Sequence, residues 1–335
     1  EMSASLVGSE MCIRDRASEM PAVFDKKKVI RMKQKLSTKL ERGNLLPTLL
    51  LMPAVAFVFC IIIIPMCYGL YVSFFSYKLG GELTAESFVG LKNYLRVFQD
   101  KTALRSIVNT IVFAVGCVAG DLLFGTIISI LIYRRSQRIS RVLRPFIIMP
   151  LLVAPVVASL MWAYLFDANG VIYWLLKFVG IGYNDFPGIS GTQSAMLCCI
   201  IVHWWQSIPF VVIVLTAGLL SIPDELYEAA YCDGSNLFQT LWYVTLPLLR
   251  SVYITIFLIS GVDTIKSMDI IYSLTKGGPN NATMTLNLYA YLQAFDYVDT
   301  SYSMTLAIVT MIVAMACCGI PYIRYMNKKQ KEDAA

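Results

Sequence analysis

Residues 221–247 read SIPDELYEAAYCDGSNLFQTLWYVTLP, a polar and aromatic insert between two long apolar runs. Ser221 is placed to cap a helix whose first turn holds Pro223, Asp224 and Glu225, with Glu228 one turn further. The acids then lie at the positive end of the helix dipole. Gly234 supplies the left-handed residue that closes such a helix, Ser235 or Asn236 caps a second one running toward Trp242, and Pro247 blocks its extension. The predicted unit is helix, glycine corner, helix. Leu226, Ala230, Leu237, Phe238 and Leu241 give it an apolar side too short to span a bilayer yet wide enough to enter a groove on a partner. A helix lying on a membrane surface is the rival reading of the same pattern.

The flanking runs set the fold class. A chain of 335 residues with 57% hydrophobic and 15% charged residues and a mean hydropathy of +0.63 is too apolar for a soluble domain. It reads as an all-α, polytopic membrane bundle of about six transmembrane helices carrying residues 221–247 as a loop. The expected spans are 46–75, 105–132, 145–166, 194–220, 248–272 and 302–323. Pro53 and Pro65 should bend the first, and Pro150 and Pro155 interrupt the third. Asp121 in the second span costs about 3 kcal/mol at mid-membrane, so it must face protein or water. Asp263, Lys266 and Asp269 follow at three-residue steps and share a helix face, so the fifth span must be wrapped by others or end near Ser260.

Residues 1–19 show no signal-peptide h-region, cleavage site or helical period and are expected to be an artefactual or disordered leader, with the native start near Met20. Residues 20–45 form a basic arm, 46–325 the transmembrane domain and 326–335 a tail. The arm, the loop bearing Arg134, Arg135, Arg138, Arg141 and Arg144, and the closing Arg324, Lys328, Lys329 and Lys331 place both termini on the cytoplasmic side and draw the arm to anionic membrane lipid. No nucleic-acid partner is expected, because no stacking aromatics accompany the arm.

Catalytic chemistry is sparse. The chain has one histidine, His203, and nine cysteines without a C-x-x-C pair. Cys60, Cys67, Cys117, Cys198, Cys199, Cys317 and Cys318 fall in apolar runs as small buried hydrophobes, and no metal or cofactor is expected. A G-x-x-x-x-G-K-[ST] phosphate loop is missing, so ATP hydrolysis is not expected of this chain.

Glu228, Ala229 and Ala230, then Gly234 after three residues, Val244 after nine more and Pro247 after two, resemble the EAA signature of permease subunits in binding-protein-dependent ABC importers. Val244 stands where that family usually has Ile, and Ser235 where Ala is usual. FVGLKNY (88–94) and the Gly-Gly-Pro at 277–279 resemble the sugar-importing branch, and the likeness runs from about residue 45 to 325. It implies a bacterial inner-membrane protein, a second permease subunit forming a heterodimer, cytoplasmic ATP-binding subunits that grip the loop, and an extracytoplasmic sugar-binding protein. On that reading Glu228, Ala229, Ala230, Asp233, Gly234 and Pro247 make the ATPase contact. Asn109, Asp121, Trp204, Gln206 and Asp263 are candidates for the sugar path by residue type and depth, with helix packing the alternative for each. A proton-coupled secondary transporter using Asp121, Asp263 and Asp269 as a relay, and a non-transporting membrane scaffold, are the other classes open to such a sequence.

Overall fold

The computed structural model describes residues 45–133, 137–180, 182 and 185–333. The leader, the basic arm up to residue 44, Arg134 and Arg135 lie outside the described residues, as do the side chains of Arg138 and Arg141. Among the described residues the regular elements are helices, with a single isolated antiparallel bridge between Phe75 and Phe88. Packing divides the chain into a unit up to Tyr68 and a second from Gly69 onward. The described part of the first is most of α1 (residues 45–73), an apolar helix long enough to cross a bilayer.

The second unit is built on two long helices, α3 (Lys101–Tyr133) and α7 (Ser194–Leu220). Gly116, Gly120 and Gly125 of α3 face Ile200, Trp204 and Val211 of α7, so numbers rise together along the pair and the two helices are parallel. Small residues at about one-turn spacing let the backbones approach closely, which replaces the hydrophobic drive that is missing between helices in lipid. A parallel pair requires the chain to return between its members. The return is a broken helix, residues 142–152 bent by 96° against α5 (Pro155–Leu165), with Pro150 in its last turn and Pro155 opening the next. Its first half takes in the end of α4 (Gln137–Ile148), and α6 (Val171–Phe178) lies in the following connection.

α10 (Arg250–Lys266) runs antiparallel to α7. Gly218 meets Leu249 and Val252 at one end, and Val211 and Leu215 surround Ile256 further along. The last helix, α13 (residues 300–333), runs back along α10, with Cys318 against Gly261 and the Arg250 guanidinium 4.8 Å above the Tyr325 ring. Among the described residues, α1 included, four helices are long and apolar enough to cross a membrane, and with each of the two bent pairs taken as one span the number rises to the six that the sequence leads one to expect. The last helix persists to Asp333, through residues expected to form a separate tail.

Three prolines within apolar helices share one device. The π turns Phe59–Ile63, Leu241–Thr245 and Met315–Gly319 each end two residues before a proline: Pro65, Pro247 and Pro321. Proline offers no N–H to the carbonyl four residues back, and its ring crowds that carbonyl. A turn widened by one residue relieves the crowding and lets the helix continue. α1 thus passes Pro65 as one continuous helix, and Pro247, expected to block extension, is followed by helix to Leu248. The fifth crossing corrects the sequence reading at both ends: it bends by 67° beyond Leu248 and it stops at Lys266 instead of reaching 272. Ser267 and Met268 interrupt it, Asp269 opens a new short helix, α11 (Asp269–Thr275), and the single charged face expected for Asp263, Lys266 and Asp269 does not form.

At the opposite end from Arg250 the helices are clasped by polar contacts. The FVGLKNY stretch supplies α2 (Lys92–Gln99), whose Asn93 donates to the carbonyls of Ser73 (2.8 Å) and Phe75 (2.7 Å), satisfying backbone where α1 ends. Asp100 caps α3 by accepting from the amides of Thr102 (2.8 Å) and Ala103 (3.3 Å). Its other oxygen accepts from Tyr289 (2.7 Å) on α12 (Leu286–Phe295) and from Tyr302 (2.9 Å) on α13. Burial alone would raise the Asp100 carboxyl pKa, but these four hydrogen bonds outweigh it and hold the group below its ordinary value. A carboxyl depressed in the folded state stabilises it fully above the ordinary carboxylate pKa and ceases to as pH falls through the depressed value. The melting temperature of the purified protein is therefore expected to be level from about pH 5 to 8 and to drop below about pH 4. Asp100→Asn should lower the plateau and flatten the acid limb; a variant that keeps the full acid limb would show that Asp100 does not carry it.

Candidate functional site

Two features stand out at different depths: an elbow at one end of the bundle and a polar cleft near its middle. The elbow joins α7 to α10. Its first helix, α8 (Asp224–Cys232), carries Asp224 and Glu225 in the first turn, but Pro223 occupies the cap position and Ser221 does not cap it. The Ser221 hydroxyl instead donates to the Gly218 carbonyl (2.7 Å) at the end of α7, because the chain has not yet turned into α8. Gly234, at φ +76°, closes α8: its amide donates to Tyr231 (3.0 Å), and that of Ser235 donates to Ala230 (3.0 Å). These two bonds form the paired closure that a left-handed residue permits. Asn236 then caps α9 (Leu237–Leu248) through a reciprocal pair, Gln239 amide to Asn236 Oδ1 (2.9 Å) and Asn236 amide to Gln239 Oε1 (2.8 Å).

The corner is thus fixed from both sides while its outer surface is bare. Tyr231, Phe238 and Tyr243 are 82%, 71% and 75% exposed, and the rings of Phe238 and Trp242 stack 6.3 Å apart. Glu228, Ala229, Asp233, Gly234 and Pro247 are exposed and Ala230 is half-buried. The side turned to the bundle is held by Tyr227, whose ring meets Tyr133 of α3 at 6.4 Å, and by Ile222, buried with Leu219 and Leu249. Sequence reasoning missed this anchor. The only signal was an aromatic residue among acids, which local spacing does not distinguish from the exposed ones.

The cleft, about 570 Å³, is lined by the broken return (Leu151 to Pro155), by His203, Gln206, Ser207 and Phe210 of α7, and by Ile259, Ser260 and Asp263 of α10. Ser207 is the midpoint of α7, so the cleft lies at mid-depth. Gln206 Nε2 donates to the carbonyl of Val153 (2.6 Å), one of the groups released where the return is broken. Asp121 is fully buried beneath the cleft; it accepts a short hydrogen bond from Ser207 and lies 3.3 Å from His203 Nε2. Asp263, 57% exposed, pairs with Lys266 at 2.7 Å.

Of the five residues singled out for a solute path, Gln206 and Asp263 line this cleft and Asp121 supports two residues that do. Asn109 and Trp204 lie elsewhere. Asn109 donates to the carbonyls of Asn281 (2.9 Å) and Met284 (3.0 Å), seating the Gly-Gly-Pro segment on α3. Trp204 Nε1 donates to the carbonyls of Gly116 and Cys117, each at 3.1 Å. His203, Ser207, Ser260 and Ser267, not singled out for that path, complete the polar lining. Among the described residues no group of His, Cys, Asp and Glu is arranged to hold a metal ion.

A model of the family described as the inner membrane component of binding-protein-dependent transport systems matches residues 121–329, which include both features. The chain is 29% identical over 287 residues to the trehalose/maltose transport system permease protein MalF of Thermococcus litoralis, covering 85% of this chain and 95% of that one. It is 31% identical over 292 residues to the sulfoquinovosyl glycerol transport system permease protein SmoG of Agrobacterium fabrum, covering 85% and 92%. Among solved structures, a chain of a bacterial alginate ABC transporter in complex with its alginate pentasaccharide-bound periplasmic protein superposes with a TM-score of 0.72, covering 85% of this chain and 95% of that chain. At 18% identity that likeness is one of fold.

Proposed function

The chain belongs to the family of inner membrane components of binding-protein-dependent transport systems, and from that premise we propose that it is the permease that carries a sugar or oligosaccharide inward through the mid-depth cleft. The work comes from an ATPase subunit seated on the elbow. A proton-coupled carrier relaying through Asp121, Asp263 and Asp269 finds no support in this family. The relatives named for trehalose, maltose and sulfoquinovosyl glycerol favour a sugar substrate, and the family description itself brings in a solute-binding protein. We place the chain in the bacterial inner membrane beside a second, related permease, with both termini and the elbow on the cytoplasmic side. Arg144 and the closing Lys and Arg residues support that orientation.

The observation that carries the reading is the elbow's combination of rigidity and bareness. A corner held by a paired helix closure and a capping box does not flex on its own, so a push on it moves whatever it is tied to. It is tied to α7 through Ile222 and Leu219 and to α10 through Leu249. Those are two of the helices that line the cleft, so nucleotide-driven movement of the ATPase would tilt both walls together and alternate access to the solute. Glu228, Asp233 and the exposed aromatic rings supply charge and apolar area to the contact. Ala229 and Ala230 allow a close approach, and Pro247 ends the exposed arm.

A photo-crosslinking residue in place of Phe238, in membranes containing the complete importer, tests this. An adduct with the ATP-binding subunit is expected, and its yield should change with nucleotide. The same residue at Leu79, exposed in the connection after α1, should give none. Adducts to lipid alone at position 238 would restore the membrane-surface reading of the elbow.

A further inference from the structure

We propose that the cleft selects solutes that donate hydrogen bonds and carry no negative charge: neutral, hydroxyl-rich sugars or polyols, not phosphorylated, sulfonated or uronic ones. This selection presupposes that the cleft is the solute path proposed above. It follows from how Asp121, itself out of reach of any solute, orients the residues above it.

An ionised carboxylate only accepts hydrogen bonds. The Ser207 hydroxyl donates its proton to Asp121, so its lone pairs alone are left for the cleft. His203 Nε2 faces the other Asp121 oxygen at 3.3 Å; with the ring proton on that nitrogen, Nδ1 is left as an acceptor. Gln206 has one N–H committed to the Val153 carbonyl, which leaves its Oε1 as an acceptor and its second N–H as a donor. Asp263 adds a carboxylate. A sugar hydroxyl, donor and acceptor at once, finds partners on each of these side chains. A phosphate, sulfonate or carboxylate only accepts, so its partners are limited to the second Gln206 N–H and the hydroxyls of Ser260 and Ser267, and it meets acceptors on the other polar groups.

Charge points the same way. Asp263 is matched by Lys266 at 2.7 Å. His203 lies 3.3 Å from the fully buried Asp121, so the pair offers the cleft no net positive charge. Among the described residues no lysine or arginine lines the cleft. An anion therefore meets no uncompensated cation in a site of low dielectric, where like charges repel strongly. Trp204, by contrast, is turned to α3 and plays no part in the selection.

The test uses the purified complex of this permease with its partner permease and ATPase, without the solute-binding protein, whose own selectivity would mask that of the cleft. Saturation-transfer NMR compares methyl α-glucoside with methyl α-glucuronide, a pair differing at one carbon by CH2OH against carboxylate. Transfer to the glucoside is expected to exceed that to the glucuronide by at least about fivefold, the scale on which a misplaced charge is rejected. Asp263→Asn leaves Lys266 unmatched without disturbing a buried group, and should bring that ratio below about twofold. Equal or greater transfer to the glucuronide in the native complex, or a ratio unmoved by Asp263→Asn, overturns the selection while leaving sugar import standing. Transfer to neither probe removes the cleft as a solute site and the selection with it. ATP-driven uptake by the full importer, measured in parallel, then shows whether import itself survives.

Discussion

Gly234→Leu is expected to cut ATP-driven uptake at least about tenfold, equivalent to about 1.4 kcal/mol of coupling, while the protein still inserts and folds. Two observations separate these effects. A Cβ at Gly234 would meet nothing within 4 Å, so no clash opposes a larger side chain. The backbone there sits at φ +76°, which costs a non-glycine residue about 1–2 kcal/mol. The corner relaxes to avoid that strain. As it opens, the angle between α8 and α9 changes and the new side chain stands on the exposed face, where the ATPase is proposed to sit. Hydrolysis should continue without producing transport. Gly234→Asn, which tolerates the left-handed region, should retain most of the uptake and rule out a simple intolerance of any side chain. Native uptake by the leucine variant would remove Gly234 from the proposed contact.

The elbow was legible because its determinants are local. Asn236 and Gln239 are three residues apart, and Gly234 follows its helix directly, so spacing alone carries the geometry. Ser221 shows the limit of such reasoning: a good capping residue caps only if the chain turns where expected, and here α7 keeps it. The number of crossings was legible from hydropathy. The ends of the fifth were not, because the π turn that carries the helix past Pro247 is a backbone response with no residue signature of its own beyond the proline. Side-chain destinations inside the bundle were the least accessible. Asn109 and Trp204 have the chemistry of sugar contacts, yet each spends its donors on backbone carbonyls of another segment. Which face of a helix meets which neighbour depends on segments far away in sequence. Asp121 fared better because cost alone requires a buried carboxylate to find partners; the sequence left unsaid that they would be Ser207 and His203.

The same long-range packing makes Gly120 the position where one added methyl should do most harm. A Cβ there would lie 2.0 Å, 2.1 Å and 2.4 Å from three ring atoms of Trp204, far inside contact distance. The indole has little freedom to yield, since Nε1 is bonded to the carbonyls of Gly116 and Cys117 and the ring lies edge-to-face with Phe124 at 5.2 Å. Either the ring leaves its acceptors or α3 and α7 separate. Overpacking typically costs about 1–3 kcal/mol and an orphaned buried N–H about 1–3 more, so Gly120→Ala is expected to cost about 3 kcal/mol. For a chain of this size that lowers the melting temperature by on the order of 4 °C. Asp121 is the next residue, and Ser207 follows Trp204 within a turn, so the dyad beneath the cleft is disturbed as well. Solute binding should weaken along with stability, unlike the outcome at Gly234. Adding Trp204→Phe to Gly120→Ala makes room for the methyl and should recover at least about half of the lost stability, a non-additive pair of the kind expected for residues in direct contact. An unchanged melting temperature in Gly120→Ala would mean that α3 and α7 do not meet through this glycine, and the parallel pairing on which the order of crossings rests would have to be redrawn.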